Sequence, residues 1–452
     1  MARHDRIRLG ALLHGVGGAV AGWRHPLVPA DGAVNFDLYR DWARAAEQGR
    51  FDLLFITDTL YITARSTPQY LTQFEPISLI SALAAASEHI GLVATVSTTY
   101  SEPYTIARQL ATIDHISRGR AGINIVTSAP TGTALNYGRS ESEHPEHDQR
   151  YRIAAEYLEV LRGLWDSWES DALIRDKESG VFFDSAKLHT LNHRGEHFSV
   201  QGPLNIERPP QGSPVIFQAG ASHAGRDFAA SAADGIFLGP KPLADAQAYA
   251  ADIDRRAAAA GRTGADAPVL FTAITPFVGS TEQEAERIHR EVADLVNIDE
   301  ALRYLSLNFG GHDFTGYDLD APFPELGDIG HDAFQANSAR VKQVARHSGA
   351  TLRQIALDSV TPRGEFIGAP EQIADRMQRW FETGATDGFM LLEAMPEGLR
   401  TFVDQVVPVL QERGLTQREY TDGTFRESLG LSTPANRFAK VGEADGRTEL
   451  PD

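Results

Sequence analysis

The feature that most constrains the fold is an eightfold alternation of short apolar runs with helical patterns. The apolar runs predict buried strands at Ile7–His14, Asp52–Ile56, Gly91–Val96, Ala121–Thr127, Val215–Ala219, Gly235–Leu238, Val269–Val278 and Gly388–Leu392. The helical patterns that follow them cover 35–49, Pro76–Glu88, Pro103–Ile116, Asp148–Trp165, Ser222–Ala232, Leu243–Ala260, Glu282–Leu295 and Leu399–Gln411. Eight such pairs favour a closed (β/α)8 TIM barrel over an open doubly wound sheet.

Three stretches interrupt this alternation, at about 129–146, 167–212 and 297–363. They are rich in Gly, Pro, His and Asp and show only weak periodicity. Long irregular segments in a compact domain usually serve function, so we expect them to be insertions on the active-site face, the carboxyl-terminal end of the barrel. We predict one domain over residues 1–431 and a polar tail over residues 432–452, which either wraps the surface or frays.

Composition excludes several classes of function. The formal net charge of −19 disfavours a nucleic-acid partner, because such a surface repels phosphate backbones. The absence of cysteine excludes disulfides, thiolate metal sites and cysteine nucleophiles. The first apolar stretch, Leu9–Leu13, is too short for a secretory signal or a membrane span. We therefore expect a soluble cytoplasmic protein with no membrane partner.

Polar side chains follow several of the predicted strands, where a parallel barrel presents groups to its ligands. His14 ends the first strand, and Asp58 follows the second, either facing a ligand or capping a turn. Thr98 and Thr99 follow the third strand; because adjacent side chains of a strand alternate, one of them should face the barrel mouth. The Asn124–Ser128 segment ends the fourth strand with hydroxyl groups.

Two helix starts add further candidates. Asp148 is placed to cap a helix, with His147 and Tyr151 side by side one turn apart, although a surface His beside a packed Tyr fits the pattern equally well. Ser222 begins the helix after the fifth strand, and Arg226 follows one turn later. Free backbone N–H groups and a hydroxyl at a helix start favour a phosphate site over a simple serine cap.

Two other motifs look like a dinucleotide-binding loop and a metal site, but their details do not support either function. The segment from Gly15 to Gly22 follows a strand, but Val20 stands where a dinucleotide loop needs its third glycine, and Pro26 and Pro29 soon interrupt any helix. We expect a flexible, substrate-facing loop there. In the run from His144 to Asp148, Pro145 prevents a helical two-His face and no third ligand has a defined spacing, so we expect no metal.

Taken together, these residues resemble flavin-dependent monooxygenases of the bacterial-luciferase-like superfamily. Within this superfamily, the chain resembles the branch that contains the nitrilotriacetate, dibenzothiophene-sulfone and long-chain-alkane monooxygenases. The resemblance runs from about Leu9 to Leu431 and is carried by Ala21–Pro26, Phe55–Asp58, Glu75–Leu79, Ser97–Tyr104, Leu110–Arg120, Asn124–Ser128, His147–Tyr151, Leu164–Trp168, Gln218–Gly225, Gly368–Arg376 and Asp387–Phe389.

The resemblance implies a two-component enzyme that uses O2 and reduced FMN, supplied by a separate NAD(P)H:flavin reductase, to insert one oxygen atom into a small organic substrate. It implies a homodimer or homotetramer. It also assigns FMN contacts to Asp58, Thr98, His147, Tyr151 and Ser222, and it places Tyr151 and Ser222 nearest the phosphate. The Asn124–Ser128 segment would lie beside the ring system. His14 and Ser128 are the catalytic candidates, since either can hydrogen-bond the activated oxygen or move its proton.

Two positions depart from the family pattern, and three other functions stay open. Ile123 stands where the family usually has Trp, and His223 where it often has a hydroxyl residue. By the same resemblance, we expect the first change to alter packing beneath the flavin and the second to alter the phosphate pocket. The rival functions are a deazaflavin-dependent oxidoreductase of the same superfamily, a metal-dependent TIM-barrel hydrolase that uses His14, His144, His147 and Asp58, and a flavin-storage protein.

Overall fold

Eight parallel strands close into a barrel in the computed structural model, which describes residues 3–439 except 16, 65, 221, 331–334 and 394–396, and except the side chains of 335 and 336. Each strand pairs with its neighbours along the chain, and the first pairs with the last, so that Leu9 lies opposite Phe389. The predicted TIM barrel is therefore confirmed. The strands are β1 (Arg8–Leu12), β2 (Leu53–Ile56), β3 (Gly91–Ser97), β4 (Ala121–Val126), β5 (Val215–Gln218), β6 (Gly235–Leu238), β7 (Val269–Ile274) and β8 (Gly388–Leu392).

Helices surround the barrel and extend the insertions. All eight predicted helices are present with bounds shifted by at most a few residues, whereas α2, α9–α12 and α14 were not predicted. The helices are α1 (Phe36–Gln48), α2 (Pro68–Leu71), α3 (Pro76–Ala86), α4 (Pro103–Ile116), α5 (His147–Trp165), α6 (His223–Ala232), α7 (Leu243–Ala259), α8 (Glu282–Asp294), α9 (Ile298–Asn308), α10 (Gln335–Ser348), α11 (Leu352–Val360), α12 (Pro370–Glu382), α13 (Gly398–Glu412) and α14 (Phe425–Ser428).

Alternation along the strands divides the apolar side chains between two cores. One set packs between the sheet and the helices, and includes Leu9, Leu54 and Ile123. Ile123 therefore packs against the helices and not inside the barrel, contrary to the expectation that it packs beneath the flavin. The other set fills the barrel and includes Leu12, Phe55, Phe217 and Met390, which lie on the inward faces of their strands. Because side chains on a strand alternate between its two faces, the mouth-facing position after Gly10 and Leu12 is His14.

The amino-terminal end of the barrel is closed by α14. The Phe425 ring packs so close to the backbones of β3 and β4 that a side chain at Gly91 or Gly122 would meet it at 2.4 Å or 3.2 Å. Arg426 makes a buried ion pair with Asp234 at 2.7 Å and donates to the Ser213 carbonyl oxygen, which fastens α14 in place. The opposite, carboxyl-terminal end is left for the polar side chains.

The 297–363 insertion has more regular structure than its weak periodicity predicted. It contains α9, α10 and α11, which we call the insertion helices, and they build a second apolar core that includes Val20 of the loop after β1. Reciprocal side-chain caps begin two of them, at Asn297 with Glu300 and at Thr351 with Gln354. The contact with Val20 places this insertion over the carboxyl-terminal end of the barrel.

The other two insertions are irregular, as expected. Residues 129–146 form 3-10 turns against the loop after β2, where Asn136 donates to the Leu60 carbonyl oxygen at 2.8 Å. Residues 167–212 contain one short antiparallel pair, His193–Arg194 with Ser199–Val200. The described part of the tail, 432–439, lies on the surface, where Asn436 donates to backbone oxygens of 166 and 168. Residues 440–452 lie outside the described residues, and the single-domain assignment of 1–431 stays a prediction.

Within the described part of the chain, none of the helices combines the length and the apolar character that crossing a bilayer requires.

The packing of Phe425 generates a test of the barrel plug. Phe425 is 2% exposed, so we expect Phe425→Ala to lower the free energy of unfolding by about 3–5 kcal/mol through lost burial and the cavity left behind. The matched control is Phe182→Ala, whose ring is 63% exposed and whose loss should change stability by less than about 0.5 kcal/mol. Urea denaturation followed by circular dichroism measures both, and equal losses would contradict the plug.

Candidate active site

The candidate residues of the sequence come from neighbouring segments at the carboxyl-terminal end of the barrel. His14, Asp58, Thr98 and Ser128 follow β1, β2, β3 and β4 within two residues of each strand end. Ser222 follows β5 and begins α6, while His147 and Tyr151 lie in the first two turns of α5. Because β1 to β5 are consecutive in the barrel, these side chains occupy one half of its rim.

His14 is a neutral imidazole beside a polar cavity. The cavity lies between the ends of β1 and β2 and the segment around α2, and its lining includes Thr57, Gln69 and Gln73. The Tyr70 ring stands edge-on to the imidazole, with 6.3 Å between centroids. Burial lowers the pKa of His14 to about 4, so the ring is uncharged near neutral pH and can accept or donate a hydrogen bond.

Asp58 is a carboxyl group whose charge is only partly stabilised. Burial raises its pKa to about 6, although the Thr59 backbone N–H at 2.8 Å and the Gln73 side chain at 2.9 Å both donate to Oδ1. The nearby Glu75 carboxylate also raises the pKa. A carboxyl group that titrates near pH 6 can donate or accept a hydrogen bond at the rim.

Hydroxyl and amide groups link β3 to β4 inside the barrel mouth. The Asn124 amide donates to the Thr95 hydroxyl at 3.0 Å, and the Ser128 hydroxyl donates to that of Ser97 at 2.7 Å. Ser128 has φ of +49°, a left-handed conformation that non-glycine residues rarely adopt and that recurs at functional sites. Among the described residues, Oδ1 of the buried Asn124 has no hydrogen-bond partner.

The two threonines after β3 behave alike. The Thr98 hydroxyl donates to the Val126 carbonyl oxygen at 3.3 Å, and the Thr99 hydroxyl donates to that of Thr127 at 3.0 Å. Thr98 is 1% exposed. With their protons directed at β4, both hydroxyl groups can offer only lone pairs to a ligand. Which of the two faces a cofactor stays a prediction.

Tyr151 and the start of α6 form a narrow cradle. A side-chain carbon built at Gly220 or at Gly225 would lie 2.8 Å from the Tyr151 hydroxyl oxygen, so only glycine fits at both positions. Ser222 caps α6 by accepting from the Gly225 N–H at 3.1 Å. The cradle therefore combines a phenol hydroxyl, a serine hydroxyl and the backbone N–H groups of a ten-residue helix.

Details of this region differ from the sequence prediction. Helix α5 begins at His147 with Glu146 at the capping position, so Asp148 does not cap it but contacts the His147 ring at 2.8 Å. The His147 and Tyr151 rings do lie side by side, with 5.1 Å between centroids. The Arg226 guanidinium pairs with Asp252 at 3.0 Å and stacks on Tyr249 rather than pointing freely into the cradle.

Sequence reasoning missed a hydrogen-bonded chain beside the cradle. Nη1 of Arg150 lies 3.1 Å from Nε2 of His144, and Nδ1 of His144 lies 2.6 Å from the Tyr100 hydroxyl. An arginine only donates, so Nε2 accepts and Nδ1 carries the proton that it donates to the Tyr100 oxygen. Burial and the Arg150 charge both lower the pKa of His144. No spacing in the sequence indicated that these three segments meet.

A buried carboxyl group after β8 was also missed. Glu393 is 7% exposed, and one of its oxygens accepts from the Leu399 N–H at 3.4 Å. Its other oxygen has no hydrogen-bond partner among the residues that the structure describes. Burial raises the pKa of Glu393 well above its ordinary value, which favours the protonated form of the group. Its position after an apolar run was the only available signal.

Two of the residues invoked for a metal site are engaged in other contacts. His144 is bonded to Tyr100 and Arg150, while His147 is half exposed and contacts Asp148. In the parts of the chain that are described, no group of three or more His, Asp or Glu side chains is placed to hold a metal ion.

Comparison with known proteins gives a consistent family assignment. The model of the luciferase-like monooxygenase family matches residues 17–387. The chain is 46% identical to N-acetyl-S-(2-succino)cysteine monooxygenase of Bacillus subtilis (strain 168), over 97% of this chain and 100% of that protein. It is 40% identical to nitrilotriacetate monooxygenase component A of Aminobacter aminovorans, with the same coverage of 97% and 100%.

A solved structure agrees with these relatives. The crystal structure of a riboflavin lyase with modified FMN and substrate riboflavin superimposes with a TM-score of 0.83 at 31% identity, covering 95% of this chain and 97% of the other.

The environment of Asp58 generates a stability prediction. The folded chain holds the proton more tightly than the unfolded chain, whose Asp pKa is 3.8, so ionisation of Asp58 lowers stability as pH rises from about 4 to about 6. An amide keeps the acceptor oxygen without the charge. We expect Asp58→Asn to raise the free energy of unfolding by about 1–2 kcal/mol at pH 7.5 and to lose this advantage as pH falls to about 4.

Urea midpoints at both pH values measure this effect. Asp404→Asn, at an exposed position of α13, is the control and should show no such dependence. A variant at Asp58 that is equally or less stable than the parent at pH 7.5 would contradict the assigned environment.

Proposed function

Because the chain belongs to the luciferase-like monooxygenase family, we propose that it is a flavin-dependent monooxygenase that uses O2 and reduced FMN to transfer one oxygen atom to a small organic substrate. The observation that carries the proposal is the cradle of Tyr151, Gly220, Ser222 and Gly225, which lies in a matched family barrel and fits an anion at a helix start. The named monooxygenase relatives, which cover nearly the whole chain, support the reaction class.

The residues at the rim fit the shape and chemistry of FMN. The phosphate would lie in the cradle, against the N–H groups of α6 and the hydroxyls of Tyr151 and Ser222. The negative charge of the phosphate agrees with the positive end of the helix dipole at the start of α6. A side chain at Gly220 or Gly225 would leave no room for the phosphate. Exposed His147, at the start of α5, would reach the same group from the solvent side.

The flavin ring would lie across the ends of β2, β3 and β4. Asp58, with its raised pKa, and the lone pair of the Thr98 hydroxyl would bond the polar edge of the ring. Oδ1 of Asn124, which has no partner among the described residues, fits an N–H donor, since leaving a buried carbonyl oxygen unpaired costs about 1–3 kcal/mol.

Reduced flavin, when bound, supplies the two electrons that reduce one atom of O2 to water while the other enters the product. The chain's own task is to orient the reactants and exclude water. Neutral His14 and the strained Ser128 are placed at the rim to hydrogen-bond the reacting oxygen or to hold its proton. The insertion helices and the 129–146 turns would cover the mouth.

A separate NAD(P)H:flavin reductase would deliver the reduced FMN, in agreement with the relative named as component A. The glycines in the loop after β1 serve close backbone packing: the Gly18 N–H donates to the Glu393 carbonyl oxygen at 2.7 Å, and a side chain at Gly15 would meet the Gly32 backbone oxygen. We also propose the homodimer or homotetramer that the resemblance implies.

Oxygen transfer can be tested with isotopes. We expect the protein to bind photoreduced FMN without oxygen and, with a generic flavin reductase, NADH and 18O2, to place one 18O atom in a product. N-acetyl-S-(2-succino)cysteine and nitrilotriacetate, named for two relatives, are the first substrates to try. Failure to bind reduced FMN would refute the proposal, and turnover that continues without oxygen on a deazaflavin would favour the rival oxidoreductase.

The cradle can be tested independently of turnover. Each hydroxyl contributes one hydrogen bond to a charged group, so we expect Tyr151→Phe and Ser222→Gly each to weaken FMN binding about tenfold. Glycine at 222 preserves much of the helix cap. Matched controls are Tyr317→Phe in the 297–363 insertion and Ser231→Ala near the other end of α6, both expected to bind FMN like the parent. Fluorescence titration of FMN is the measurement, and unchanged affinity in both cradle variants would remove the site.

A further inference from the structure

Residues 129–146, here called the strap, cross the rim at the strand ends where the flavin ring is proposed to lie. The strap follows β4 and first reaches the loop after β2, where a side chain at Gly132 would collide with the Tyr61 ring. It then returns past the end of β3, where it contacts Tyr100, to the start of α5. Because β2, β3 and β4 are neighbours in the barrel, the strap spans the ends of all three.

Three side chains of the strap contact the same tyrosine after β3. The Tyr137 ring stacks on the Tyr100 ring with 4.8 Å between centroids, and the Arg139 guanidinium lies 5.6 Å from the centroid of Tyr100. Nδ1 of His144 donates to the Tyr100 hydroxyl oxygen at 2.6 Å. Tyr100 itself is buried. These three side chains therefore share one anchor on the barrel.

The contact at the other imidazole nitrogen requires His144 to be uncharged. Nη1 of Arg150 donates to Nε2 of His144 at 3.1 Å and to the Pro145 carbonyl oxygen at 2.8 Å. An arginine cannot accept a hydrogen bond, so the contact with Nε2 exists only while that nitrogen carries no proton. A proton on Nε2 would set a donor against a donor and a cation against a cation.

Arg150 has no means of accommodating a second positive charge. Its side chain is buried, and its Nε has no hydrogen-bond partner among the described residues. Burial lowers the pKa of Arg150, and the groups that oppose this effect are the phenols of Tyr151 and Tyr100 rather than a carboxylate. A buried guanidinium held by neutral acceptors therefore disfavours protonation of the imidazole beside it.

The groups around the imidazole determine the direction of its pH response. Burial and then the charge of Arg150 lower the pKa of His144, while the Ala129 backbone carbonyl at the start of the strap acts in the opposite direction. Tyr100 contributes a neutral phenol, and Glu143 of the strap accepts from a backbone N–H of its own turn. Because the pKa is lowered, both contacts of His144 are intact at neutral pH and are lost only as pH falls through a value below 6.5.

We propose that His144 is a positioning residue that, in its neutral form, fastens the strap to Tyr100 and so closes the barrel mouth, and that its protonation releases the strap. The inference rests on the proposed function only in naming FMN as the molecule beneath the strap. The fastened strap would exclude water from the ends of β2, β3 and β4 during oxygen transfer. Release of the same contact would let the flavin enter and leave.

Hydrogen exchange of the full-length protein without flavin tests the fastening directly. Tyr100→Phe removes the acceptor oxygen and His144→Phe removes the donor, while both variants keep an aromatic ring at the contact. After correction for intrinsic rates, peptides from the strap should exchange about fivefold faster in each variant than in the parent at neutral pH, because a buried hydrogen bond is lost. Peptides from β6 and β7, across the barrel, should exchange as in the parent and report an intact fold.

The charge of His144 is tested by comparing exchange at about pH 7.5 and about pH 5.5. The parent should lose about tenfold of its strap protection at the lower pH, because both contacts of the imidazole are lost. His144→Asn keeps a donor near the place of Nδ1 and does not titrate, so its strap should exchange alike at both pH values after the same correction.

Matched controls come from the 297–363 insertion. Tyr317→Phe breaks another tyrosine–histidine contact, in which the hydroxyl lies 3.0 Å from Nε2 of His312, and His347→Asn removes an exposed titrating group from α10. Both variants should match the parent in strap exchange at both pH values.

Flavin kinetics connect the strap to the mouth. A closing segment limits entry and exit alike, so we expect stopped-flow fluorescence of Tyr100→Phe to show FMN association and dissociation both faster by about fivefold, with Kd changed less than about twofold. If Tyr100 only contacted the flavin, dissociation alone would become faster, and that result would overturn the role of the strap in closing the mouth.

Two exchange results would overturn the fastening: strap protection like the parent's in both phenylalanine variants, or a loss at low pH that persists in His144→Asn. Where a phenylalanine variant also loses protection in β6 and β7, the comparison of the parent with His144→Asn decides. Binding of reduced FMN and 18O transfer by a protein whose strap ignores these changes would leave the monooxygenase proposal intact and remove only the role of His144. A responsive strap in a protein that fails to bind reduced FMN would remove the monooxygenase proposal and keep the pH-dependent fastening.

Discussion

Closure of the parallel barrel is the constraint on which the rest of the structure depends. Because β1 pairs with β8 as well as with β2, every strand has two partners and every strand ends at the same rim. Alternation then decides which side chains reach that rim: Gly10 and Leu12 point inward, and His14 is the next residue of that series. A change of one residue in register would turn His14 toward the helices, and the mouth would lose its imidazole.

Plugging one end of the barrel is what leaves the other end for chemistry. Phe425 fills the space that the missing side chains of Gly91 and Gly122 leave, so the amino-terminal end carries packing and an ion pair. At the carboxyl-terminal end, the inward positions of β3 and β4 change from apolar Val93 to Thr95, Ser97 and Asn124. The polarity gradient along the barrel axis follows from residue choice at every second position.

The strands and the barrel helices could be predicted because burial imposes a period that the sequence must repeat. The eight runs ended within a few residues of the observed strands, although the run ending at Val278 proved to be β7 and a separate short strand, Phe277–Val278. The insertion helices were not predicted because their apolar core includes Val20, which lies far away in the sequence. The reciprocal cap of Asn297 with Glu300 was a readable local signal. Contacts such as Tyr100 with His144 depend on how an irregular loop folds, which no period encodes.

Electrostatics favour uncharged groups at the half of the rim that carries the candidate residues. Burial moves His14 and Asp58 toward their uncharged forms, since a half-buried site with few partners stabilises a charge poorly. The same burial raises the pKa of Glu393 after β8. At physiological salt, fields fade over about 8 Å, so the overall charge of −19 acts weakly at the rim and the cost of a charge there is set by its own neighbours. A carboxyl group that holds its proton repels an anionic ligand less than a carboxylate does, so burial of the rim groups favours a phosphate-bearing cofactor at this mouth.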